Sequence, residues 1–343
     1  MIDIEIIKDY LKSYDGQPLT FMEVCGTHTA AINENAIPSL LSDKIRLISG
    51  PGCPVCVTVS GYIDRLIELS DEEDTCVVTF GDMIRVPGSE KSLLNSGGNF
   101  RMVYSPLETI RLAKAEPQTL FVFAAVGFET TAPVYALLLD EIIRQDIKNI
   151  RLLTAIKTMP AAISALCEIG VGVNGFIAPG NVSVITGSDV YRPLAEKYRL
   201  PFAVSGFSGE ELLCGIYSLV RLHDSARVVN LYNAVTPEGN KKAQALLYKY
   251  FEPCDAVWRG MGIIENSGLA LKNEYSRYDL GSRRLTADKA KNSGCKCGEV
   301  ITGKLSPSCC PLYSKACTPE NPQGACMVSG EGACRICYMN EGE

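Results

Sequence analysis

The sequence has few of the features that mark nucleic-acid-binding, secreted or membrane proteins. Its 33 Lys and Arg stand against 39 Asp and Glu, a formal charge of −6 without any basic run, which argues against a nucleic-acid partner. The first ten residues alternate apolar and charged types and lack a signal-peptide core. The longest uncharged stretch, residues 169–188, is interrupted by asparagine, proline and glycine, so it does not match a membrane span. We therefore expect a cytoplasmic protein that binds neither nucleic acid nor membrane.

Phosphate-binding motifs are also missing. The sequence has no Gly-Lys-Ser/Thr loop of the P-loop type, and no Gly-x-Gly-x-x-Gly sequence follows a strand-like run. Whether the protein binds a nucleotide therefore stays open. At 343 residues, with 46% hydrophobic and 21% charged residues, the chain is long enough for two or three domains with their own cores.

Cysteine is abundant, and its distribution is uneven. Eight of the fifteen cysteines lie between Cys295 and Cys337, and Cys25, Cys53 and Cys56 lie in two short motifs near the start. Buried structural cysteines are expected to be scattered, as the remaining four are: Cys76, Cys167, Cys214 and Cys254. In a cytoplasmic protein, such clustering favours metal or redox chemistry over structural disulfides.

Short apolar runs alternate with amphipathic stretches of helical length. The predicted buried strands are Ile45–Ile48, Cys76–Phe80, Leu120–Val126, Leu152–Ile156, Gly175–Ala178, Phe202–Val204 and Val228–Leu231. The predicted helices include Tyr62–Leu69, Ala132–Arg144, Ala161–Glu168 and Lys241–Phe251. This alternation predicts an α/β fold with parallel sheets. After about Gly260 the strand-like runs stop, and we expect a small further domain that a metal centre holds together.

Glycine-rich loops follow several of these runs, at the position where sites in α/β sheets gather. In the loop Gly127–Thr131, Glu129 and Thr130 would place polar groups at the carboxyl end of a strand. The alternative is that Thr131 merely caps the next helix. Three isolated residues are assigned ordinary structural positions: a helix surface for His223, core or interdomain packing for Trp258 and solvent for Lys157, with a catalytic amine at a strand end as the alternative for Lys157.

The first cysteine motif is Phe21–Thr29, in which Cys25 and His28 are three positions apart. A helix that starts near Thr27 would stabilise a Cys25 thiolate through its N-terminal dipole. The thiolate and the imidazole could ligate a metal such as iron, or they could form a nucleophile–base pair. A third alternative is a buried cysteine beside a helix cap.

The second cysteine motif is Ser49–Cys56, which holds Cys53 and Cys56 in a Cys-x-x-Cys spacing. That spacing lets two thiols form a disulfide or share a metal. Because Val57–Leu69 has a helical pattern, the motif is predicted to open a helix.

The C-terminal cysteines form a third group: Cys295, Cys297, Cys309, Cys310, Cys317, Cys326, Cys334 and Cys337. An iron–sulfur cluster needs four converging thiolates, and four thiolates also suit zinc. The successive intervals between Cys295, Cys310, Cys317 and Cys334 are 15, 7 and 17 residues, unlike the compact ferredoxin pattern. The residues alone therefore predict a metal without deciding which.

Taken together, these motifs resemble the HypD family of hydrogenase maturation proteins. The resemblance is carried by FMEVCGTHT, GPGCPVC, GFETTAP, IAPGNVSVITG and CPLYSKACTPENPQGACMVSGEGAC, and it runs from about Phe21 to Cys334. It implies two parallel-sheet α/β domains around a cleft and a small C-terminal iron–sulfur cluster domain. The expected division is an N-terminal helix in residues 1–20 packed on the C-terminal domain, α/β domains in 21–145 and 146–260, and a cysteine-rich 4Fe–4S domain in 261–343.

The resemblance implies a scaffold and redox maturation factor for the Fe(CN)2CO unit of nickel–iron hydrogenases. With a small HypC-like partner, the protein would hold iron while carbon monoxide and cyanide are attached, the cyanide being delivered by HypE with HypF upstream. The finished unit would then pass to the hydrogenase large-subunit precursor. Such a protein is a maturation scaffold rather than a conventional turnover enzyme.

The resemblance also implies roles for single residues. Cys25 is the leading iron ligand, with His28 beside it as a second ligand, a support for the ligand or a proton donor. Cys53 and Cys56 would form a redox-active dithiol that exchanges electrons with a 4Fe–4S cluster. Glu129 and Thr130 would line the cleft. The implied cluster ligands are Cys295, Cys310, Cys317 and Cys334.

Some alternatives stay open at this point. Four further cysteines compete for the cluster or lie near it: Cys297, Cys309, Cys337 and, as the strongest alternative ligand, Cys326. Two other functions compete with the scaffold, namely a stand-alone 4Fe–4S thiol–disulfide oxidoreductase resembling ferredoxin–thioredoxin reductase, and a zinc-stapled interaction protein. The sequence does not give the source of carbon monoxide, the resting redox state of Cys53 and Cys56, the oligomeric state or the hydrogenase served.

Overall fold

A computed structural model describes residues 3–289 and 291–340 of the chain. The strands are β1 Leu19–Glu23, β2 Ile45–Ser49, β3 Thr75–Thr79, β4 Phe100–Met102, β5 Leu120–Gly127, β6 Ile150–Lys157, β7 Gly175–Pro179, β8 Phe202–Ser205, β9 Val228–Asn230, β10 Phe251–Trp258 and β11 Gly262–Leu271. The α-helices are α1 Ile4–Lys12, α2 Gly26–Glu34, α3 Ser60–Asp71, α4 Gly81–Arg85, α5 Glu108–Ala115, α6 Ala132–Arg144, α7 Met159–Glu168, α8 Gly180–Thr186, α9 Arg192–Tyr198, α10 Gly209–Leu222, α11 Lys241–Tyr250, α12 Cys297–Ile301, α13 Ala325–Val328 and α14 Ala333–Asn340. Short 3-10 turns lie at Ile37–Leu40, Leu93–Asn95, Asp189–Tyr191, Asn273–Tyr278, Ser282–Arg284 and Pro307–Cys309.

The strands form two sheets, and parallel pairing dominates both. The first sheet has the order β2-β1-β7-β8-β9 and is parallel throughout. The second has the order β10-β11-β6-β5-β3-β4, in which the four strands from β6 to β4 are parallel and β10 and β11 are antiparallel additions. The predicted α/β class with parallel sheets is confirmed.

Strand β5 shows why the apolar runs become central strands. Phe121, Phe123 and Ala125 point into a core with α6. The alternate residues Val122 and Ala124 point into a second core with α3. A strand that is covered by helices on both faces must be apolar at every position, so it appears in the sequence as a continuous hydrophobic run.

The expected division of the chain into consecutive domains is wrong for the two sheets. Strand β6, assigned to the domain 146–260, lies in the second sheet beside β5. Strands β7, β8 and β9 then return to the first sheet beside β1. The chain therefore crosses between the sheets after β2, after β6 and after β9. Strands that are consecutive in the sequence do not always lie in the same sheet.

The N-terminal helix also lies elsewhere than expected. In α1, Ile7 and Leu11 are buried in a core with Leu212 and Ile216 of α10. This apolar stripe on α1 matches the stripe on α10, so the helix packs on the first sheet's layer of helices and not on the cysteine-rich segment. Its start is capped by Asp3, whose side chain accepts a hydrogen bond from the backbone of Glu5.

Every strand and helix named from the sequence is present within about two residues at either end, but several elements were missed. The prediction that strands stop after Gly260 is wrong, because β11 pairs with both β10 and β6. The first half of β11 is exposed at every position except Ile264 and includes Glu265 and Asn266, which hides the strand pattern. The Cys-x-x-Cys motif lies in a turn, and α3 begins only at Ser60.

Within residues 3–289 and 291–340, no helix has the length and apolar character needed to cross a membrane.

Candidate functional site

The two N-terminal cysteine motifs lie in direct contact at the carboxyl edge of the first sheet. Cys25 follows β1 and immediately precedes α2, so the predicted helix start near Thr27 is confirmed. The N–H of Gly26 donates to the carbonyl oxygen of Gly52 over 3.1 Å. A Cβ on Gly52 would lie 2.3 Å from the backbone nitrogen of Cys25, so this approach requires glycine. The juxtaposition follows from parallel pairing of β1 and β2, whose exits lie side by side.

The Cys25 thiol is enclosed. Its residue is 8% exposed, and burial raises the pKa of Cys25 to about 12. Hydrogen bonds from the backbone of His28 and Thr27 lower this pKa, while the charges of Glu23 and Glu331 raise it. The expectation of a thiolate stabilised by the helix dipole is therefore wrong for the closed protein, because desolvation outweighs the N–H groups of the helix.

Two carboxyl groups surround the Cys25 turn. Glu23 accepts a hydrogen bond from the backbone nitrogen of Cys25 over 2.9 Å and another from the Thr29 hydroxyl. Burial raises the pKa of Glu23 to about 7. Glu331 approaches from the cysteine-rich segment, where it accepts a hydrogen bond from the hydroxyl of Thr27 over 3.2 Å. The residues before α14 thus pack against the start of α2, next to Cys25.

His28 is fully buried on α2, and its two ring nitrogens have different surroundings. Nε2 lies 3.2 Å and 3.0 Å from the carbonyl oxygens of Ser205 and Gly206, so this nitrogen carries the proton. Nδ1 has no hydrogen-bond partner among the described residues. Burial lowers the pKa of His28 to about 4. The ring packs 4.7 Å from that of Phe207, which leaves a neutral imidazole with one unused lone pair.

Cys53 and Cys56 are joined by a disulfide, and both are buried. Of the two outcomes that the spacing allowed, the structure shows the disulfide. The backbone nitrogen of Cys56 lies 3.1 Å from the sulfur of Cys53. The Cys56 sulfur lies 3.9 Å from the carbonyl oxygen of Ala325, at the start of α13. The disulfide thus touches the cysteine-rich segment.

A buried arginine holds the disulfide loop in place. Arg259 donates to the carbonyl oxygens of Cys56 and Thr58 over 3.1 Å and 2.6 Å. Its third nitrogen pairs with Asp288 over 3.1 Å. These three contacts fix the planar guanidinium of Arg259, and two of them hold the disulfide loop.

The four cysteines implied as cluster ligands all lie in the cysteine-rich segment, with Cys295, Cys310 and Cys317 outside the helices and Cys334 in the first turn of α14. Cys310, Cys317 and Cys334 are buried in one hydrophobic core, and Cys295 packs against that core. The N–H of Gln323 points at the sulfur of Cys317 over 3.4 Å. Cys309 is exposed, in contrast to the buried Cys310 beside it.

A second pair of sulfur atoms lies between the disulfide and these four cysteines. Cys297 and Cys326 are buried with their sulfurs 2.9 Å apart. Hydrogen bonding to Cys326 lowers the pKa of Cys297 to about 7 in spite of burial. Hydrogen bonding to Cys297 and Cys334 raises that of Cys326. Cys326 also adjoins Ala325, which contacts the disulfide.

The carboxyl edge of the second sheet faces the same region. Glu129 is buried after β5, and one of its oxygens accepts from the backbone of Met159 over 2.9 Å. The other oxygen has no partner within the described part of the chain, and burial raises the pKa of Glu129 to about 7. Met22 of β1, Phe128 and Tyr191 belong to one hydrophobic core, so the two sheets pack together in this region. Thr130 is half-buried beside Glu129.

This arrangement joins a histidine nitrogen with a free lone pair, an enclosed thiol, a disulfide and a group of converging thiols. Among residues 3–289 and 291–340, no three His, Cys, Asp or Glu side chains converge as the ligands of a single metal ion would. The thiols of a multi-iron cluster surround a larger object and lie further apart. A metal ion at Cys25 would need a ligand from outside the described chain.

Some residues of the site were not assigned roles from the sequence. Glu23 and Glu331 lie within the cysteine motifs that carry the family resemblance. Their closeness in sequence to Cys25 and Cys326 could have suggested a role in the site. Arg259 had no such signal, because only the fold brings it to the disulfide loop. The Cys297–Cys326 pair is separated by 29 residues, a spacing that suggests no pairing by itself. Trp258 is in the core as predicted, whereas the prediction of a solvated Lys157 is wrong.

Comparison with known proteins gives a consistent result over nearly the whole chain. The profile of the family described as "HypD: Hydrogenase formation hypA family" matches residues 3–341. A putative hydrogenase expression/formation protein of Methanocaldococcus jannaschii is 40% identical over 328 residues, covering 93% of this chain and 91% of that protein. The hydrogenase maturation factor HypD of Escherichia coli is 39% identical over 335 residues, covering 94% and 89%. That of Azotobacter vinelandii is 40% identical over 333 residues, covering 92% and 88%.

Proposed function

This chain belongs to the HypD family, and from that premise we propose that it is a hydrogenase maturation factor that holds iron while small ligands are attached. The observation that carries the proposal is the meeting of Cys25, His28 and the Cys53–Cys56 disulfide at one sheet edge. Iron that bears cyanide and carbon monoxide prefers soft, electron-rich ligands. A thiolate and an imidazole meet that requirement.

Cys25 would bind the incoming iron ion as a thiolate. The thiol must first lose its proton, and metal binding favours that loss because the ion replaces the proton on sulfur. Glu23 lies next to Cys25 and, with a pKa of about 7, can accept the proton near neutral pH. His28 presents the free Nδ1 lone pair, whose tautomer is fixed by the carbonyl oxygens at Nε2.

A partner protein would complete the ligand set. In the closed structure Glu331 and its neighbours cover Cys25, so displacing this segment would expose the thiol. We assign the second thiolate to a small HypC-like protein that binds there. HypE, with HypF upstream, would then deliver cyanide, and the finished Fe(CN)2CO unit would leave for the hydrogenase large-subunit precursor.

The Cys53–Cys56 pair would supply redox equivalents beside the iron. Conversion between the disulfide and two thiols takes up or releases two electrons and two protons. The Gly52 contact with Cys25 places this pair next to the proposed iron ligand. The 2.9 Å approach of Cys297 and Cys326 gives a second dithiol on the side of the cysteine-rich segment.

The cysteine-rich segment fits a 4Fe–4S cluster by its donor set. Cys295, Cys310, Cys317 and Cys334 would hold the cluster, since all four lie in or against one packed core. When bound, such a cluster supplies single electrons. The N–H of Gln323 would stabilise negative charge on the Cys317 sulfur, and glycine at 324 leaves room for Cys295, because a Cβ there would lie 2.7 Å from its sulfur.

Burial disfavours the competing oxidoreductase. A stand-alone thiol–disulfide oxidoreductase needs a disulfide that a protein substrate can reach, whereas Cys53 and Cys56 are 4% and 1% exposed. That function also leaves Cys25 and the free nitrogen of His28 without a role.

The proposal is tested by anaerobic co-expression with a HypC-like protein, followed by purification of the complex and measurement of iron and labile sulfide. We expect the wild-type complex to contain more iron than the cluster accounts for. This additional iron should be lost in Cys25→Ala, while the complex and its labile sulfide remain. Cys214→Ala removes a half-buried thiol on α10 and serves as the matched control. Unchanged iron content in Cys25→Ala would refute the assignment.

A further inference from the structure

A cavity of about 190 Å³ opens beside the second sheet, on the far side of the disulfide loop. Its walls are built from β6, β10, β11, the residues leading into α3 and the turn at 282–286. Much of the lining is apolar, including Val59, Ala155 and Val257. A cavity of about 150 Å³ is large enough to bind benzene, so this one admits a small organic molecule.

Lys157 is a basic group of this cavity without a counter-ion. The residue is 4% exposed, and its ammonium group makes no hydrogen bond or ion pair with any described residue. The ammonium lies 5.7 Å from the centre of the Trp258 ring, whose face gives partial compensation. Burial of an ionised amine without a paired anion is costly, and neither iron binding nor the dithiols use this side chain.

The charges around Lys157 do not neutralise it. Burial lowers the pKa of Lys157 to about 8. Among the smaller effects, Cys254 and Asp288 raise this pKa and Arg259 lowers it. Asp288 is already paired with Arg259. Cys254 is a neutral thiol near neutral pH, because burial raises the pKa of its thiol.

Two charged residues at the exposed mouth of the cavity already have hydrogen-bond or ion-pair partners. Asp255 accepts a hydrogen bond from the backbone of Asn266. Arg283 pairs with Glu252. Asp255 and Arg283 are exposed, so Lys157 is the buried charge among the described lining residues, which are otherwise apolar or neutral.

We infer that this cavity binds a small organic carboxylate, whose charge pairs with the Lys157 ammonium and whose short apolar body lies against Val59, Ala155 and Val257. A single carboxylate matches the single buried cation. A phosphate would bring a second charge without a partner. By comparison with the benzene cavity, the ligand has about six to eight non-hydrogen atoms.

The site adjoins the disulfide loop, although its ligand binding does not depend on the proposed function. Thr58 lines the cavity, and its carbonyl oxygen accepts from Arg259, which also holds Cys56. A ligand in the cavity would therefore contact Thr58, which shares its hydrogen-bond donor Arg259 with Cys56.

Trp258 provides a direct test, because it is the single tryptophan of the chain. We would titrate the purified full-length protein with isovalerate and, separately, with isovaleramide, which has the same shape without the charge. Tryptophan fluorescence is the readout. We expect a saturable change with isovalerate at pH 7 and at least tenfold weaker binding of isovaleramide. Lys157→Met should weaken isovalerate at least tenfold, and the exposed control Lys242→Met should not.

The pH dependence gives a second readout that needs no variant. Isovalerate affinity should fall about tenfold per pH unit above the pKa of Lys157, since only the ammonium form pairs with the carboxylate. Tyr62 also lines the cavity, but its raised pKa keeps it neutral there. Equal binding of the acid and the amide, an unchanged affinity in Lys157→Met, or no fluorescence change with isovalerate would each overturn the inference.

Discussion

Cys25 and Cys297 are both buried thiols, yet their surroundings give them opposite acidities. Burial raises the pKa of Cys25 to about 12. Hydrogen bonding to Cys326 lowers the pKa of Cys297 to about 7, although Cys297 is equally shielded from water. The first thiol lies between acidic residues at a sheet edge, and the second lies beside a sulfur donor and near Arg259.

The difference teaches that burial alone keeps a thiol protonated, and that a hydrogen-bonding neighbour can reverse this effect. Cys25 stays protonated and protected until a metal or partner changes its surroundings, as suits a ligand for a reactive cargo. Cys297 has a thiolate form available near neutral pH, as suits thiol–disulfide exchange. The predictions below alter one side of this comparison at a time.

The largest expected effect comes from Arg259→Met. This change removes donors from the carbonyl oxygens of Cys56 and Thr58 and breaks a mostly buried ion pair with Asp288. We expect the free energy of unfolding to fall by about 2–4 kcal/mol, and the pKa of Cys297 to rise because a nearby positive charge is lost.

Chemical denaturation and residue-specific alkylation under anaerobic conditions measure the two effects. The control is Arg283→Met, because Arg283 is exposed and its pair with Glu252 contributes at most about 1 kcal/mol. Equal losses in the two variants would show that Arg259 does not anchor the disulfide loop.

Gly52→Ala should open the enclosure of Cys25. The new Cβ would lie 2.3–2.7 Å from backbone atoms of Cys25, so one of the two motifs must move. We expect a loss of about 1–3 kcal/mol in the free energy of unfolding and faster alkylation of Cys25 as water enters. In Gly330→Ala, where a Cβ meets nothing within 4 Å, both quantities should stay at their wild-type values. Slower or unchanged alkylation in Gly52→Ala would show that this contact does not bury the thiol.

Cys326→Ala should make Cys297 resemble Cys25. Without the sulfur donor, burial becomes the dominant influence and the pKa of Cys297 rises, so its thiolate fraction at pH 7 falls about tenfold for each pKa unit. The pH profile of Cys297 alkylation, followed by mass spectrometry under reducing anaerobic conditions, measures this shift. Cys309→Ala removes an exposed thiol and is the control. A profile that does not move in Cys326→Ala would place the cause of the low pKa elsewhere.

Glu129→Gln tests burial alone, without a competing thiol. The pKa of Glu129 is raised from 4.5 to about 7, so its contribution to stability is present below pH 4.5 and is lost as the pH rises through 7. Glutamine keeps an acceptor for the backbone of Met159 and cannot ionise. The stability of the variant relative to wild type should therefore be greater at pH 8 than at pH 5, by about 3 kcal/mol at most.

The measurement is denaturant unfolding across this pH range. Glu196→Gln, at an exposed position on α9, gives the baseline. A gain in Glu129→Gln that is the same at pH 5 and pH 8 would be inconsistent with a buried, titrating carboxyl group.

Much of the fold was predictable because its central strands are covered on both faces. Leu120–Gly127 is apolar throughout and was recognised, whereas Gly262–Leu271 is half-exposed and was missed. The sorting of strands into sheets was not predictable, since β6 and β7 are consecutive in sequence and lie in different sheets. Hydrophobic pattern identifies a strand but does not choose its partner.

The same limit applies to the site. Cys25, His28, Cys53 and Cys56 were found from spacing, because nearby residues must lie close in space. The acidity of Cys25 was predicted with the wrong sign, because the helix start was visible in the sequence and the burial of the thiol was not. Lys157 was assigned to solvent for the same reason: burial by a distant segment leaves no local pattern.

Infrared spectroscopy of the anaerobic complex with a HypC-like protein tests the central claim most directly. The complex would be formed in cells that make the cyanide-delivering partners, and the spectrum recorded where metal-bound carbon monoxide and cyanide absorb. We predict bands of both ligands in the wild type and in Cys214→Ala, and their loss in Cys25→Ala. The same bands in Cys25→Ala would contradict the claim that Cys25 holds the iron.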